Sequence, residues 1–401
     1  MMKPVMFGQL TLVRPPNLCA MMRALLVVSL LILSGCSSSP QRNASQESES
    51  MNPLATQGLR YWDGDHQNPS DHAIYREMLE LIGNKDEDYH FQHLALSGGG
   101  LDGAFSAGIL NAWSDAGNRP EFDVVSGIST GAIVSVFAYL GSDYDEDLRR
   151  YYTDTPPAEM FKLNSLFKVF SRNALINTEG FELKVRTAID ADMIERLAHE
   201  REKGRLLLIG TTSLDNEKMA LWDIGRIAQV GSEDAQTLIQ DIVIASSSIP
   251  GAFPAKLINI DDGEQQFDEL HVDGGVSRQV FLIPQWLRFD SASGHLGQTI
   301  YVIRNGSLVP RYQVTENDLG EVSRRSLSTI IRNQGIGDVE FIYFYSQHHG
   351  LDFQLAHIGP DFDRDELDPH DLEYMRQLYQ YGYDKASDEQ LWLTEPPSIM
   401  R

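Results

Sequence analysis

Residues 91–141 carry a pattern that occurs twice: a short apolar run, a glycine cluster, then a longer apolar stretch. The run 94–96 (Leu-Ala-Leu) has no polar interruption, as in a strand buried on both faces. It leads into Gly98, Gly99 and Gly100. Residues 105–113 follow with helical spacing, and Ala104, Ala107 and Gly108 leave room for close packing. The run 122–125 repeats the strand, Gly127-Ile128-Ser129-Thr130-Gly131 repeats the turn, and 132–140 repeats the helix, stopped by Gly141. Strand, turn and helix in succession, twice, predict α/β architecture with a parallel sheet. Further on, the pattern predicts strands at 205–212 and 295–303, the second ending in Arg304-Asn305-Gly306. Helices are expected at 73–81, 237–246, 321–347 and 366–386, and no internal repeat is visible.

Composition adds an address. The 401 residues carry 33 basic and 57 acidic side chains, a formal charge of −24. Phosphate binding needs a basic surface, so a nucleic-acid partner is excluded. Both cysteines, Cys19 and Cys36, fall near the N-terminus, leaving the body without thiol, disulfide or cysteine metal site. Met21-Met22-Arg23 opens an apolar run at 24–33, too short to cross a bilayer ~30 Å thick. Leu33-Ser34-Gly35-Cys36 follows and resembles the lipobox of bacterial lipoproteins. That resemblance implies a signal peptide at 21–36 and a lipid anchor on Cys36. Ser37, where an aspartate would retain the protein at the inner membrane, implies the outer membrane, facing the periplasm. Residues 1–20 fit no signal peptide, so the true start is expected at Met21 or Met22. Residues 37–57 are rich in Ser, Gln and Asn and are expected to be a flexible tether. A lead-in at 58–90, a catalytic domain at 91–305 and a helical C-terminal part at 306–401, packed on the same domain, complete the expected organisation.

The glycine clusters point to chemistry. In Gly-x-Ser-x-Gly the serine sits on a sharp strand-to-helix turn, and Gly127 and Gly131 let that turn approach other backbone. The helix start after Ser129 offers unpaired N–H groups to a developing negative charge. Gly98-x-Gly100-x-x-Gly103 formally fits a dinucleotide-binding turn. That reading wants an acid at the end of the next strand, and Asp123 stands at its start. The other role for Gly98, Gly99 and Gly100 is an oxyanion hole of backbone N–H groups. A serine nucleophile needs a base, and the sequence does not choose among the histidines after Ser129. His348-His349 is a poor metal pair, because adjacent side chains point apart. Leu270-His271-Val272-Asp273-Gly274-Gly275 ends a strand in an aspartate that is either an Asp-Gly turn or a carboxylate at a sheet edge.

Taken in order, Gly98-Gly99-Gly100-x-x-Gly103, Gly127-Ile128-Ser129-Thr130-Gly131, the 245–254 segment ASSSIPGAFP and Asp273-Gly274-Gly275 resemble the motifs of patatin-like phospholipases. The resemblance covers roughly 91–305. It implies a three-layer sandwich, a mainly parallel sheet flanked by helices, with a serine–aspartate dyad. Carried over, Ser129 is the nucleophile, Asp273 the proton acceptor, and the backbone of Gly98, Gly99 and Gly100 the oxyanion hole. Gly127 and Gly131 shape the elbow. The implied reaction is hydrolysis of a membrane-lipid ester through an acyl-serine, with no metal and no cofactor. The family has x-Arg/Lys-Gly after the triple glycine, whereas this chain has Leu101-Asp102-Gly103. Asp102 therefore argues for a second reading, a weakly active or inactive lipid-binding envelope protein. A histidine base, His349 or His357, is the alternative to Asp273. The run 161–170 is expected as a helix, either a buried amphipathic one or a lid facing lipid.

Overall fold

Alternating side chains explain the sheet. In strand β2 (His90–Leu96), Phe91 and Ala95 enter one apolar cluster, and Leu94 and Leu96 enter another on the opposite face. Leu206 and Leu208 against Leu207 and Ile209 do the same in β6 (Leu206–Ser213). Strands apolar on both faces belong inside a sheet covered on both sides. The structure is a computed structural model describing residues 42–64, 74, 76, 77, 80, 85, 86, 88–164, 174–283, 297–362, 371–388 and 391–400. The expected start, signal peptide, Cys36 and first tether residues, and most of the 73–81 helix, lie outside these residues.

The nine-stranded sheet runs β1-β7-β6-β3-β2-β10-β11, with β9 added to β6 and β8 added to β9. The remaining members are β1 (Arg60–Trp62), β3 (Val124–Ile128), β7 (Lys218–Asp223), β8 (Lys256–Asp261), β9 (Gln266–Asp273), β10 (Gly297–Arg304) and β11 (Asp352–His357). The central pairings, β6-β3-β2-β10-β11, are parallel. β1, β7, β8 and β9 pair antiparallel. β4 (Lys162–Leu163) and β5 (Ile176–Asn177) form a separate small hairpin.

Most helices cover one face: α1 (Gly103–Asp115), α2 (Thr130–Leu140), α3 (Asp145–Thr153), α4 (Glu179–Ala188), α5 (Ala191–Glu202), α6 (Ile224–Gln229), α7 (Glu233–Ser246) and, further along, α9 (Leu372–Ser387). On the other face Val339 and Ile342 of α8 (Leu319–His349) pack on the sheet beside residues 280–283. This is the three-layer α/β architecture. α9 lies on α1 so closely that a β-carbon at Gly108 would overlap the Tyr379 carbonyl, and one at Gly382 the Phe105 carbonyl.

Two expectations are corrected. Residues 43–57 are not a free tether. Asn43 bonds the Gln266 carbonyl at 2.5 Å, and its own carbonyl accepts from Asp268 N at 2.8 Å. The Arg60 guanidinium donates to Ser48 O and Glu269 Oε2, each at 2.7 Å, and Trp62 Nε1 to Glu49 O at 2.9 Å. The segment is polar, but its carbonyls are bonded by buried donors, a source of order that apolar content does not report. The run 161–170 does not begin as a helix. Phe161 stacks on Phe253, Lys162–Leu163 pairs with Ile176–Asn177, and 165–170 lie outside the described residues.

Candidate active site

β3 delivers the serine. Ser129 follows its last residue with φ 57° and ψ −125°, conformational space that L side chains rarely occupy. Its N–H donates to Ser246 Oγ at 2.9 Å, and that hydroxyl donates to Gly210 O at 2.7 Å. The tightness of the turn explains its glycines. A β-carbon at Gly131 would overlap the carbonyl oxygens of Leu96 and Ser97, and one at Gly127 the carbonyl of Gly131.

β2 delivers the glycine loop beside it. A β-carbon at Gly98 would stand 3.2 Å from Ser129 Cβ, so the loop lies against the serine. Gly98 N–H, expected to face an oxyanion, donates instead to Gln279 O at 3.0 Å. Among the described residues no acceptor meets the N–H of Gly99 or Gly100. Gly99 and Gly100 thus have N–H groups open to an incoming acceptor, with Gly98 tied back behind them. Gly100 needs its left-handed φ of 61°, which glycine adopts without penalty. Asp102, in the family's cation position, accepts a 2.6 Å bond from Tyr374 of α9.

Asp273 arrives through sheet register. β3 runs parallel to β6 and ends with Ile128 opposite Gly210. β9 runs antiparallel to β6 and ends with Asp273 opposite Thr211. Two strands thus approach end to end along the same side of β6 and stop at adjacent positions. The Ser129 hydroxyl meets the buried Asp273 carboxylate in that gap. Asp273 Oδ1 also accepts from Gly275 N at 2.7 Å, and Asp273 N donates to Ser248 O at 2.9 Å. Burial raises the Asp273 pKa to about 7, and the bonds from Ser129 and Gly275 pull it down only in part. A carboxyl tuned near neutrality is suited to take and return a proton.

No histidine bonds Ser129 or Asp273 among the described residues. His357 Nδ1 pairs with Ile358 O, and His349 sits at the end of α8 against Tyr345. His271, two residues before Asp273, is fully buried between Thr211 and Glu269. No cluster of three or more metal-binding side chains occurs among the described residues.

The serine opens into a cavity of about 350 Å³ lined by Gly99, Gly100, Tyr151, Phe161, Phe181, Phe253 and Met375, among others. Phe161 lies 5.1 Å from Phe253 and 5.6 Å from Phe181, ring centre to ring centre. A larger hollow of about 520 Å³ between α5 and α7 is lined by Glu195, Glu202 and Glu233 and holds neither dyad residue. Sequence reading missed Ser246 and Gln279, whose roles come from tertiary contacts. Ser246 does lie within the 245–254 motif.

Residues 94–284 match the family model described as Patatin-like phospholipase. Similar solved structures include VipD from Legionella pneumophila, at 12% identity and a TM-score of 0.37, covering 75% of this chain and 66% of that one. Human GIVD cytosolic phospholipase A2 is 12% identical with a TM-score of 0.28, covering 82% and 54%. The type III effector protein ExoU is 15% identical with a TM-score of 0.20, covering 75% and 54%. The chain thus spans less than two thirds of these proteins' own lengths. No curated protein matches it.

Proposed function

The chain carries a patatin-like phospholipase domain at residues 94–284, and from that premise we propose a serine lipid acyl hydrolase that cleaves carboxylic esters through an acyl-Ser129 intermediate. One observation carries the reading: the Ser129 hydroxyl faces a buried, cation-free carboxyl at the mouth of an apolar cavity, beside two N–H groups that meet no acceptor among the described residues. Asp273 accepts the Ser129 proton as Oγ attacks the acyl carbon. The carbonyl oxygen takes the negative charge and is bound by the N–H groups of Gly99 and Gly100. Collapse breaks the ester C–O bond, and the leaving alcohol takes the proton from Asp273. Water, deprotonated by the same carboxylate, then releases the fatty acid and restores Ser129. Aromatic and methionine side chains suit the acyl chain.

The location is part of the proposal: an outer-membrane lipoprotein, anchored at Cys36 and facing the periplasm. With Asn43 docked on β9, seven Cα steps separate it from Cys36, a reach of at most roughly 25 Å. The domain would then work close to the bilayer that holds its substrate.

A fluorophosphonate, which reacts with activated serines, tests the site. We expect labelling of the wild type and none of Ser129→Ala, together with fatty acid release from mixed bacterial phospholipids. The second reading, a lipid-binding protein with little turnover, is favoured by Asp102 in the place of the family's cation. Folded wild type that neither labels nor turns over would establish it.

A further inference from the structure

We infer that Arg304 is the positioning residue of the oxyanion hole, supplying from behind the glycine loop the positive charge that Asp102 does not supply in front. This rests on the acyl hydrolase reading of Ser129. Arg304 ends β10, beside the point where β2 gives way to the loop, and is 3% exposed. Its Nη1 donates to Gly98 O at 2.5 Å, Ser97 Oγ at 3.0 Å and Asn305 O at 3.3 Å.

The consequence follows from the peptide plane. In a trans peptide the carbonyl of one residue and the N–H of the next point in opposite directions. Arg304 holds the Gly98 carbonyl on the far side of the loop, so Gly99 N–H points away from Arg304. Gly99 lines the cavity at Ser129. The other end of Gly98 is fixed as well, because its N–H is bonded to Gln279 O. The loop is gripped at both sides of one residue, and glycine's freedom is removed where a donor must be aimed. A charged donor on the carbonyl also polarises the amide, strengthening Gly99 N–H as a donor. A buried positive charge then favours the oxyanion formed on the opposite side.

The fold makes room for this arginine. A β-carbon at Gly335, inside α8, would lie 2.9 Å from Arg304 Nε, and one at Gly306 would lie 3.2 Å from its guanidinium carbon. Glycine in a helix interior costs up to ~1 kcal/mol relative to alanine. Its presence at the contact with Arg304 is therefore a sequence choice made against helix propensity.

The test compares kcat, KM and the affinity of a trifluoromethyl ketone, which adds to Ser129 and places an oxyanion in the hole. For Arg304→Met we expect kcat to fall about 10- to 100-fold, less than the roughly 100- to 1000-fold known for outright loss of one oxyanion donor, because the donor is misaimed rather than removed. KM should change less than about twofold, and ketone affinity should weaken by the same factor as kcat. Arg304→Lys, which keeps the charge but not the fork, should recover part of both. A purely structural role would lower the thermal midpoint while leaving the kcat and ketone affinity of the folded fraction unchanged, and that result would overturn the inference. Gly335→Ala keeps the arginine, disturbs its seat and favours the helix. It should show the same paired loss on a smaller scale, and unchanged ketone affinity there counts against the inference even where Arg304→Met does not fold. Wild type without turnover on any ester would instead sink the hydrolase reading itself.

Discussion

At Gly127 and Gly131 the absent side chains serve packing, since a β-carbon at either would overlap backbone oxygens within residues 96–131. At Gly99 the absent side chain makes room for the Asn305 carbonyl, far along the chain, and distant residues hold the loop: Gln279, Arg304 and Asn305. The elbow is thus encoded within the two consecutive strand-turn-helix units. The oxyanion loop is encoded by residues about 180 to 210 positions further along. Asp273 belongs with the loop, because its place comes from β9 meeting β3 across β6. The proposed nucleophile is set by local backbone geometry, while its proposed base and anion site need the whole sheet.

The largest effect should come from the distant half. Asp273→Asn removes the proton acceptor, and we expect turnover to fall at least ~10³-fold with the fold retained, as seen by circular dichroism. Retained hydrolysis in that variant would return the base to a histidine. In the wild type, kcat/KM should rise with pH through about 7 and then level, because below that value Asp273 is protonated and cannot accept. The stability sign is opposite. The folded pKa is raised above the ordinary carboxylate value, so this group's contribution to stability is full at low pH and is lost as pH rises through about 7. At pH 8 the burial of that charge costs on the order of 4 kcal/mol. Asp273→Asn should therefore gain stability over wild type at pH 8, and the gain should shrink towards pH 5. A chemical denaturation series at the two pH values checks this.

Gly131→Ala probes the local half. Its β-carbon would overlap the Leu96 and Ser97 carbonyls, at the point where β2 passes the elbow. Overpacking of this kind typically costs ~1–3 kcal/mol. We expect loss of fluorophosphonate labelling together with a lower denaturation midpoint, whereas loss of labelling alone would mean the elbow yields without disturbing β2.

What was legible in the sequence follows the same division. The Ser129 elbow, β2, β3, β6 and β10, and α1, α2, α7, α8 and α9 are visible because each has an unbroken apolar run or a helical period of its own. β8 was not visible. It pairs only along β9 and alternates Ile258 and Ile260, both buried, with Leu257 and Asn259, both exposed, over too few residues to stand out. β11 escapes for another reason: it lies in the 306–401 part expected to be helical, and only its pairing with β10 brings it into the sheet. The docked segment 43–57 was hidden because its partners are Arg60, Trp62 and the β9 backbone rather than apolar side chains of its own. Asp273 was singled out by the motif order, yet its contact with Ser129 depends on a register that no local window contains. The bond from Gly98 N–H to Gln279 O is hidden in the same way, since Gln279 lies beyond Asp273 in the chain.

The smallest expected effect isolates the strain of the elbow. Ser129 holds φ 57° and ψ −125°, a conformation that costs a residue with a β-carbon about 1–3 kcal/mol. Ser129→Ala keeps that cost, and Ser129→Gly removes it. Glycine gives back part of the gain, up to ~1 kcal/mol, because its unfolded chain has more freedom to lose. Both variants lack the hydroxyl, both are inactive, and both lose the same bond to Asp273, so these terms cancel between them. The glycine variant should therefore be the more stable of the two by roughly 1 kcal/mol, read as a shift in denaturant midpoint at constant slope. Equal midpoints would mean that the backbone at residue 129 relaxes once the hydroxyl is gone. The geometry of the elbow would then be held by the Ser129–Asp273 bond across the sheet rather than by the turn itself.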